Sequence, residues 1–270
     1  MSGKVGVVST QEERAARLQA LHAGEAFVIP NPWDAGSARV LESLGFQALA
    51  TTSSGFAFTL GRLDGDVTLD EVAAHVESLA GAVNVPISVD LENGYGSEPR
   101  DAVFAVTRVA QAGAVGGSIE DWDSEAGIYE LTHAAERVAT AVEAVSGFGW
   151  PFTLTARAEN HIRGNPDLDD TISRLQAFEA AGADVLYAPG LASADEIRQV
   201  CSAVSKPVNV LARRDLTLDE IVGAGAQRVS VGGSLTWTAV QALADAAVAI
   251  RDRGSFEALG DGSRVRDWLA

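Results

Sequence analysis

The sequence has almost no cysteine and no long apolar segment. Cys201 is the only cysteine in 270 residues, which excludes disulfides within the chain and a cysteine-based zinc site. Low cysteine content is typical of a reducing compartment, so we expect a cytoplasmic protein. Residues 1–17 are polar and charged. We therefore expect neither a signal peptide nor a transmembrane span.

Positive charge is also scarce, because 37 acidic residues against 20 Lys and Arg give a net charge of −17. Such a surface repels nucleic acid and anionic membranes, and we expect neither as a partner. It repels small anionic substrates as well. A site for such a substrate therefore needs local positive charge, for example a bound metal ion.

Short apolar runs alternate with Ala-rich amphipathic segments along the chain. The predicted strands are residues 26–30, 48–52, 86–92, 116–121, 152–159, 185–189, 207–212 and 228–233. Each run is near-continuously apolar, which is typical of parallel strands buried on both faces. The predicted helices are residues 35–44, 69–81, 100–112, 131–146, 169–181, 194–204, 218–224 and 237–253.

Glycine marks several predicted helix-to-strand turns, at Gly45, Gly113, Gly182 and Gly225. Eight strand–helix units predict an α/β protein with a single closed (β/α)₈ barrel over residues 1–270. The alternative is an open doubly wound sheet, but no G-x-G-x-x-G follows the first strand. Residues 1–10 and the tail 254–270 are expected to be peripheral. The tail is rich in apolar residues, so we expect it to dock on this chain or on a neighbouring one.

Several carboxylates follow neighbouring predicted strands, at the end of a barrel where active sites occur. Asp90 and Glu92 are two residues apart on one strand and share a face, and Glu120 ends the next strand. Without a cation these carboxylates would repel each other, whereas Mg²⁺ prefers oxygen ligands. The pattern predicts a metal site of Asp90, Glu92 and Glu120 for Mg²⁺, with Mn²⁺ as the alternative. Ordinary rim salt bridges are the competing interpretation.

Other polar residues occur at the same strand ends. The candidates for catalysis are Asp64, Arg157, Glu159 and His161, and the candidates for substrate binding are Trp33, Thr52, Ser53, Ser54, Asn209 and Gly232. Several have structural alternatives: Arg157 as an ion-pair partner, residues 53–55 as a helix cap, and Trp33 as packing. Residues 230–234 are similar to the glycine-rich anion-binding turn found late in many barrels.

The order of these motifs resembles the isocitrate lyase/phosphoenolpyruvate mutase superfamily. The resemblance rests on residues 31–39, residues 51–55, the segment Asp90-Leu91-Glu92-Asn93-Gly94-Tyr95-Gly96 and the triplet Ile119-Glu120-Asp121. It implies a (β/α)₈ barrel, Mg²⁺, and a 2-oxo acid or its enolate as ligand, with C–C or P–C bonds made or broken. It also implies a homodimer or homotetramer that exchanges a C-terminal helix.

The resemblance assigns roles residue by residue. Asp90 is similar to the direct Mg²⁺ ligand, while Glu92 and Glu120 would hold metal-bound waters. Asp64 would orient such waters or the substrate. Thr52, Ser53 and Ser54 match the loop that binds the substrate carboxylate, and Arg157 matches the arginine that pairs with carboxylate or enolate oxygen.

Two departures from the family pattern bear on the reaction. Isocitrate and methylisocitrate lyases carry a K-[KR]-C-G-H type loop, whereas residues 122–130 here contain no Cys, Lys or His. The mutase and phosphonopyruvate hydrolase place Lys directly after the I-E-D acids, where this chain has Trp122. A standard isocitrate lyase is therefore disfavoured, and phosphoryl chemistry is disfavoured as well.

The sequence thus predicts an Mg²⁺-dependent lyase or decarboxylase of a small 2-oxo or 2-hydroxy dicarboxylic acid, such as oxaloacetate or a malate-type compound. The alternatives are phosphonopyruvate hydrolase or phosphoenolpyruvate mutase, a 2-oxo acid-binding protein with little activity, and an unrelated barrel enzyme. For the general acid or base we favour Glu159 and His161, which lie close to Arg157 in sequence. Tyr129 and Glu125 are further candidates.

Overall fold

The computed structural model describes residues 9–269 and contains one sheet of eight parallel strands. These strands are β1 (Phe27–Ile29), β2 (Leu49–Ala50), β3 (Ile87–Asp90), β4 (Gly116–Glu120), β7 (Thr153–Arg157), β8 (Val185–Tyr187), β9 (Val208–Leu211) and β10 (Arg228–Ser230). A small antiparallel hairpin, β5 (Trp122–Asp123) and β6 (Gly127–Ile128), lies between β4 and β7. The sheet order is β1-β10-β9-β8-β7-β4-β3-β2. Ala50 N–H donates to Pro30 O at 3.1 Å, which brings β2 back beside the end of β1. The predicted (β/α)₈ barrel is confirmed.

Helices cover the outside of this sheet. They are α1 (Gln11–Ala23), α2 (Ala35–Ser43), α3 (Ser53–Thr59), α4 (Leu69–Ala82), α5 (Pro99–Gln111), α6 (Leu131–Ser146), α7 (Leu168–Ala180), α8 (Ala194–Ala203), α9 (Leu218–Gly223), α10 (Ser234–Arg253) and α11 (Val265–Leu269). All eight predicted helices and all eight predicted strands are present, most of them with ends within two residues of the predicted ones. Three helices, α1, α3 and α11, and the β5–β6 hairpin were not predicted.

Local sequence explains where the elements begin and end. Thr68 caps α4 by accepting from Glu71 N–H, and the Glu71 side chain accepts in return from Thr68 N–H. Gly113 and Gly182 have φ of +105° and +100°. A Cβ at Gly113 would lie 2.8 Å from Ala80 Cβ. Glycine is therefore needed at residue 113 both for its backbone conformation and for close packing.

The two faces of the strands differ in polarity. Residues that face the helices are apolar, for example Val89, Leu154 and Val210. Residues that face the lumen are mostly polar: Ser88, Asp90, Ser118, Glu120, Thr155, Arg157, Asn209, Arg228 and Ser230. The strands are buried on both faces, as predicted, but most of the buried residues on the lumen side are polar and not apolar.

The N-terminal end of the barrel is closed by α1. Ala15 and Leu18 on this helix are fully buried against Phe27, Ile29 and Val115. The Gln227 side chain donates to Leu21 O at 3.3 Å and to Gly24 O at 2.9 Å, which ties the helix end to the start of β10. Access to the lumen is therefore from the carboxyl ends of the strands.

The C-terminal tail lies against its own chain, because α11 contacts α2. Phe256 and Leu259 remain 64% and 56% exposed. Exchange of this tail between subunits, and the dimer or tetramer, stay predictions, as does the single-domain division of residues 1–270. Of the segments expected to be peripheral, residues 1–8 and 270 lie outside the described residues. Between residues 9 and 269 no helix is long and apolar enough to cross a membrane.

Candidate active site

Arg157, the last residue of β7, bonds to three carboxylates at the open end of the barrel. Its Nη1 lies 3.0 Å from Asp90 Oδ1, its Nη2 lies 2.9 Å from Glu120 Oε1, and its Nε lies 2.8 Å from Glu159 Oε1. The Arg157 side chain is 12% exposed, so solvent screens these contacts only weakly. The structure thus brings together Asp90, Glu120, Arg157 and Glu159 as predicted from their positions at strand ends.

Strand register explains this convergence. Glu120 on β4 pairs directly with Arg157 on β7, and Asp90 on β3 pairs with Ser118 two residues before Glu120. The Asp90 backbone N–H donates to Thr51 Oγ1 at 2.9 Å, and Ser53 N–H points to Asp90 Oδ2 at 3.4 Å. The loop after β2 therefore holds the Asp90 carboxylate from one side while Arg157 holds it from the other.

The turn after β3 has an unusual backbone. Glu92 and Tyr95 have φ of 48° and 61°, a region that L-residues rarely adopt. Arg137 on α6 holds this turn, because its Nη1 donates to Gly96 O at 2.8 Å and to Glu98 O at 3.1 Å. Burial, followed by the negative charges of Asp90 and Asp64, raises the pKa of Glu92 to about 7. Arg137 was not predicted.

Arg163 is a second cation at the site. Its Nη2 lies 3.2 Å from Glu120 Oε2 and 3.5 Å from Glu159 Oε2. Its guanidinium carbon stands 3.4 Å from the ring centroid of Trp122. The segment 122–130, noted for lacking the lyase residues, forms the short β5–β6 hairpin, and Trp122 supports Arg163 from there.

The predicted carboxylate-binding loop opens α3. Thr52 caps this helix, since its Oγ1 accepts from Gly55 N–H at 3.3 Å. The helix-cap alternative is therefore correct for this segment, with Thr52 as the capping residue. Removal from bulk solvent raises the pKa of the Asp64 carboxyl above its ordinary value, and the Ser53 hydroxyl opposes this shift. Asp64 itself is exposed at the mouth of the site.

The glycine-rich turn after β10 lies beside this loop. Asn31 Oδ1 accepts from Val231 N–H and from Gly232 N–H, both at 2.9 Å. A Cβ at Gly233 would come within 2.8 Å of Ser54 Oγ, so glycine is required there. Asn31 thus connects the first and last strand ends of the barrel, a role that sequence reasoning did not assign.

Two adjoining cavities occupy this end of the barrel. The inner cavity, of about 190 Å³, lies in the lumen, and the outer one, of about 420 Å³, lies over the carboxylates. Ser53 and Asp64 border both. The inner wall includes Thr52, Ser54, Asp90, Arg157, Asn209 and Gly232, and the outer wall includes Glu92, Glu120, Trp122 and Arg163. Most of the predicted site residues therefore share one continuous region.

Glu159, His161 and Trp33 lie outside these walls, as do the further candidates Tyr129 and Glu125. The His161 ring faces α7, where Nδ1 lies 2.8 Å from Thr171 Oγ1. Glu159 is fully buried behind Arg157, and its Oε2 accepts no hydrogen bond within the described residues. Trp33 packs beside Gly55 at the start of α3. Their positions favour packing or support over direct contact with a ligand.

The charges of the site favour a bound cation. Five carboxylates, from Asp64, Asp90, Glu92, Glu120 and Glu159, face two guanidinium groups, from Arg157 and Arg163. All of the potential ligands are hard oxygen donors, which suits Mg²⁺. In residues 9–269 no three His, Cys, Asp or Glu side chains are grouped to bind one ion directly.

The fold and the site define a barrel enzyme with its chemistry at the strand ends. The phosphoenolpyruvate phosphomutase family model matches residues 18–251. An oxaloacetate decarboxylase of Bradyrhizobium diazoefficiens is 31% identical over 91% of this chain and 88% of its own length. A Burkholderia cenocepacia structure described as a lyase/mutase has 46% identity and a TM-score of 0.93, with 96% of both chains covered. The chain belongs to the isocitrate lyase/phosphoenolpyruvate mutase superfamily, as the motifs predicted, and is an enzyme of that class.

A more distant structure shows the same fold. Phosphonopyruvate hydrolase in complex with oxalate and Mg²⁺ has a TM-score of 0.84 at 21% identity, with 96% of this chain and 95% of that chain covered. At this identity the similarity extends to the fold alone. The ligands of that protein belong to it and not to this chain.

Proposed function

We propose that this chain is an Mg²⁺-dependent lyase or decarboxylase of a small 2-oxo or 2-hydroxy dicarboxylic acid that acts through an enolate. The observation that carries the proposal is the single guanidinium of Arg157, held by three carboxylates at the wall of a small polar cavity. It is a fixed positive charge where an enolate oxygen can develop.

The cavity suits a small acid. Its volume of about 190 Å³ is roughly six times the ~30 Å³ that one water molecule occupies in the liquid. Ser53, Ser54 and Gly232 present hydroxyl and backbone groups along one side of it. We infer that they bind the substrate carboxylate. Asn31 fixes the Gly232 backbone, so this side is organised before a ligand binds.

Asp90 would hold the metal directly, with Glu92 and Glu120 acting through its waters. Bound Mg²⁺ would polarise the keto and carboxylate oxygens of a 2-oxo acid. The bond that breaks joins the carbon next to the keto carbon to the departing group, which leaves as CO₂ in a decarboxylation. Its electron pair stays on that carbon and delocalises onto the keto oxygen as the enolate. Arg157 stabilises the charge that forms on the enolate oxygen, where electrostatic stabilisation has its greatest effect on rate.

Asp64 is best placed to transfer a proton. It borders both cavities, whereas His161 faces α7 and Glu159 lies behind Arg157. Of the four residues predicted to be catalytic, we therefore propose Arg157 and Asp64 as those that meet the ligand. Glu159 would orient Arg157.

Product release from a panel of acids tests this function. Purified protein with Mg²⁺ is incubated with oxaloacetate, malate, 2-methylmalate and 2-methylisocitrate, and pyruvate and glyoxylate are measured with and without EDTA. We expect release that depends on Mg²⁺ and falls at least 100-fold in Arg157→Lys, a loss of about 2.7 kcal/mol of transition-state stabilisation. Arg62→Lys is the matched control, because Arg62 forms an exposed ion pair away from the site.

The panel also includes phosphonopyruvate and oxalate. Phosphate release from phosphonopyruvate, without cleavage of the other acids, would assign the chain to the hydrolase and mutase branch instead. Tight Mg²⁺-dependent oxalate binding without any turnover would indicate a binding protein. Either result contradicts the proposed lyase.

A further inference from the structure

Arg228 is a buried cation deep in the barrel lumen. It is the first residue of β10 and is 4% exposed. Its Nη2 donates to Thr155 Oγ1 at 3.0 Å on β7, the third strand along the sheet. The side chain therefore extends across the lumen, below the layer that contains Arg157.

The charge of Arg228 has no counterion among residues 9–269. Its other partners are neutral: Nε donates to Asn209 Oδ1 at 2.8 Å, and Nη1 lies 3.3 Å from His22 Nε2. Burial lowers the pKa of His22 to about 4, so this imidazole is uncharged at neutral pH. These contacts use three of the five guanidinium N–H groups. Arg157, in contrast, meets three carboxylates.

An uncompensated buried charge is costly, because neutral hydrogen bonds replace only part of its hydration. Arg228 nevertheless remains cationic at neutral pH, since burial lowers its pKa only to about 10. A buried guanidinium without a counterion that keeps unused N–H donors is suited to bind an anion.

Arg228 also borders open space. It forms part of the wall of the inner cavity, together with the hydroxyl-bearing residues Ser88, Ser118 and Ser230. The same cavity is bordered by Arg157 and Asp90 at its upper end. The end of the cavity at Arg157 and Asp90, the rim, thus has an excess of carboxylates that suits a cation. The end at Arg228, the floor, has an excess of positive charge.

We propose that Arg228 forms the floor of an anion subsite and binds the far carboxylate of a dicarboxylic acid whose other end lies at Arg157 and Asp90. The assignment rests on the proposed function for the identity of the ligand. The serine hydroxyl groups between Arg157 and Arg228 provide polar contacts for the middle of the ligand. Substrate length then depends on the distance from rim to floor.

Calorimetry with Mg²⁺ present tests the subsite. The ligands are oxalate, succinate and glutarate, with butyrate and pentanoate as monocarboxylates of matched chain length. We expect the better of the two longer dicarboxylates to bind at least tenfold more tightly than its monocarboxylate partner. Arg228→Met should abolish this preference and leave oxalate binding within twofold. Unchanged preference in a folded Arg228→Met protein would overturn the proposal.

Arg14→Met is the matched control. Arg14 is another buried arginine, 8% exposed, but it donates to the backbone oxygens of Ala80 and Val83 and lies outside the cavity. Its replacement should lower the melting temperature and leave the preference intact. If both variants lost the preference equally, the effect of Arg228 would be structural, and the subsite would be rejected.

Bromide binding to wild-type crystals gives a test that needs no variant. Anomalous density beside Arg228, displaced by the preferred dicarboxylate, would support the subsite. Bromide that stays bound together with that dicarboxylate would assign the subsite to a free anion and overturn its role in substrate binding. Absence of bromide there would overturn the subsite. Failure of the proposed function would be distinct, because wild type would then release no pyruvate or glyoxylate from the panel of acids, whatever bromide showed.

Discussion

The guanidinium of Arg163 lies over the indole of Trp122, with 3.4 Å from the guanidinium carbon to the ring centroid. The same guanidinium bonds to Glu120 at 3.2 Å. Trp122 stands where the mutase pattern has lysine directly after the I-E-D acids. In this chain the residue after the acids is aromatic, and the cation that lies over it, Arg163, comes from the loop after β7.

Trp122→Ala should remove the platform for Arg163. A cation–π contact of this kind contributes about 1 kcal/mol, so we expect kcat/KM to fall roughly fivefold. Trp122→Phe keeps an aromatic face and should stay close to wild type. Steady-state kinetics on the best substrate of the panel measure both. Equal losses in the two variants would show that the ring packs without supporting Arg163.

Arg157→Met should also destabilise the fold. It leaves the buried carboxylates of Glu120 and Glu159 without their main counterion, which costs on the order of 3–5 kcal/mol. Urea denaturation at pH 7 measures the loss. Arg62→Met, which breaks the exposed pair with Glu71, should cost less than about 1 kcal/mol. Similar losses of unfolding free energy in both variants would show that the ion pairs of Arg157 stabilise the fold no more than an exposed ion pair does.

Asp90→Asn should weaken Mg²⁺ binding most among the site carboxylates. Glu92→Gln and Glu120→Gln should each weaken it by about 10- to 100-fold, as expected for residues that act through metal-bound water. Calorimetric titration of Mg²⁺ in the presence of oxalate compares them. Asp70→Asn is the control, because Asp70 pairs with Arg108 on the outer surface. Unchanged affinity in Asp90→Asn would remove Asp90 as the metal ligand.

His75 should make stability depend on pH. Its ring stacks on Phe56 with centroids 4.0 Å apart, and burial lowers its pKa to about 4. The unfolded chain binds a proton near pH 6.5, so unfolding takes up protons between pH 6.5 and 4. The contribution of the neutral imidazole to the free energy of unfolding is fully present above pH 6.5 and is lost as the pH falls towards 4.

His75→Phe keeps the stacking and removes the titrating group. The unfolding free energy of wild type relative to this variant should fall by about 3 kcal/mol between pH 7 and pH 4. The same difference should be constant between pH 7.5 and pH 8.5. A constant difference at low pH as well would mean that His75 titrates alike in the folded and unfolded chain.

The barrel was predictable because its pattern is local. Apolar strands, capped helices and glycine turns repeat along the chain, and each can be recognised within a few residues. The unpredicted helices lack this pattern. Most of α1 is polar, and it buries only a narrow side with Ala15 and Leu18. The start of α3, Thr52-Ser53-Ser54-Gly55, has the composition of a loop.

The candidate site was predictable only where residues end strands. Asp90, Glu120 and Arg157 follow that rule, and their register brings them together. Tyr187 ends β8, and its ring lies 5.1 Å from the Arg157 guanidinium, so the same rule applied to this strand would have found it. Arg163 and Arg228 do not follow the rule. The path of a loop brings Arg163 over the site, and Arg228 begins its strand.

The polar lumen affects how this enzyme can change. The apolar packing that holds the barrel together lies between the strands and the helices, whereas Ser88 and Ser118 line the central cavity. Substitutions at these two positions alter the size and polarity of the ligand space and leave the main apolar core intact. We therefore expect single replacements inside the lumen to change the length of ligand that fits, without redesign of the scaffold.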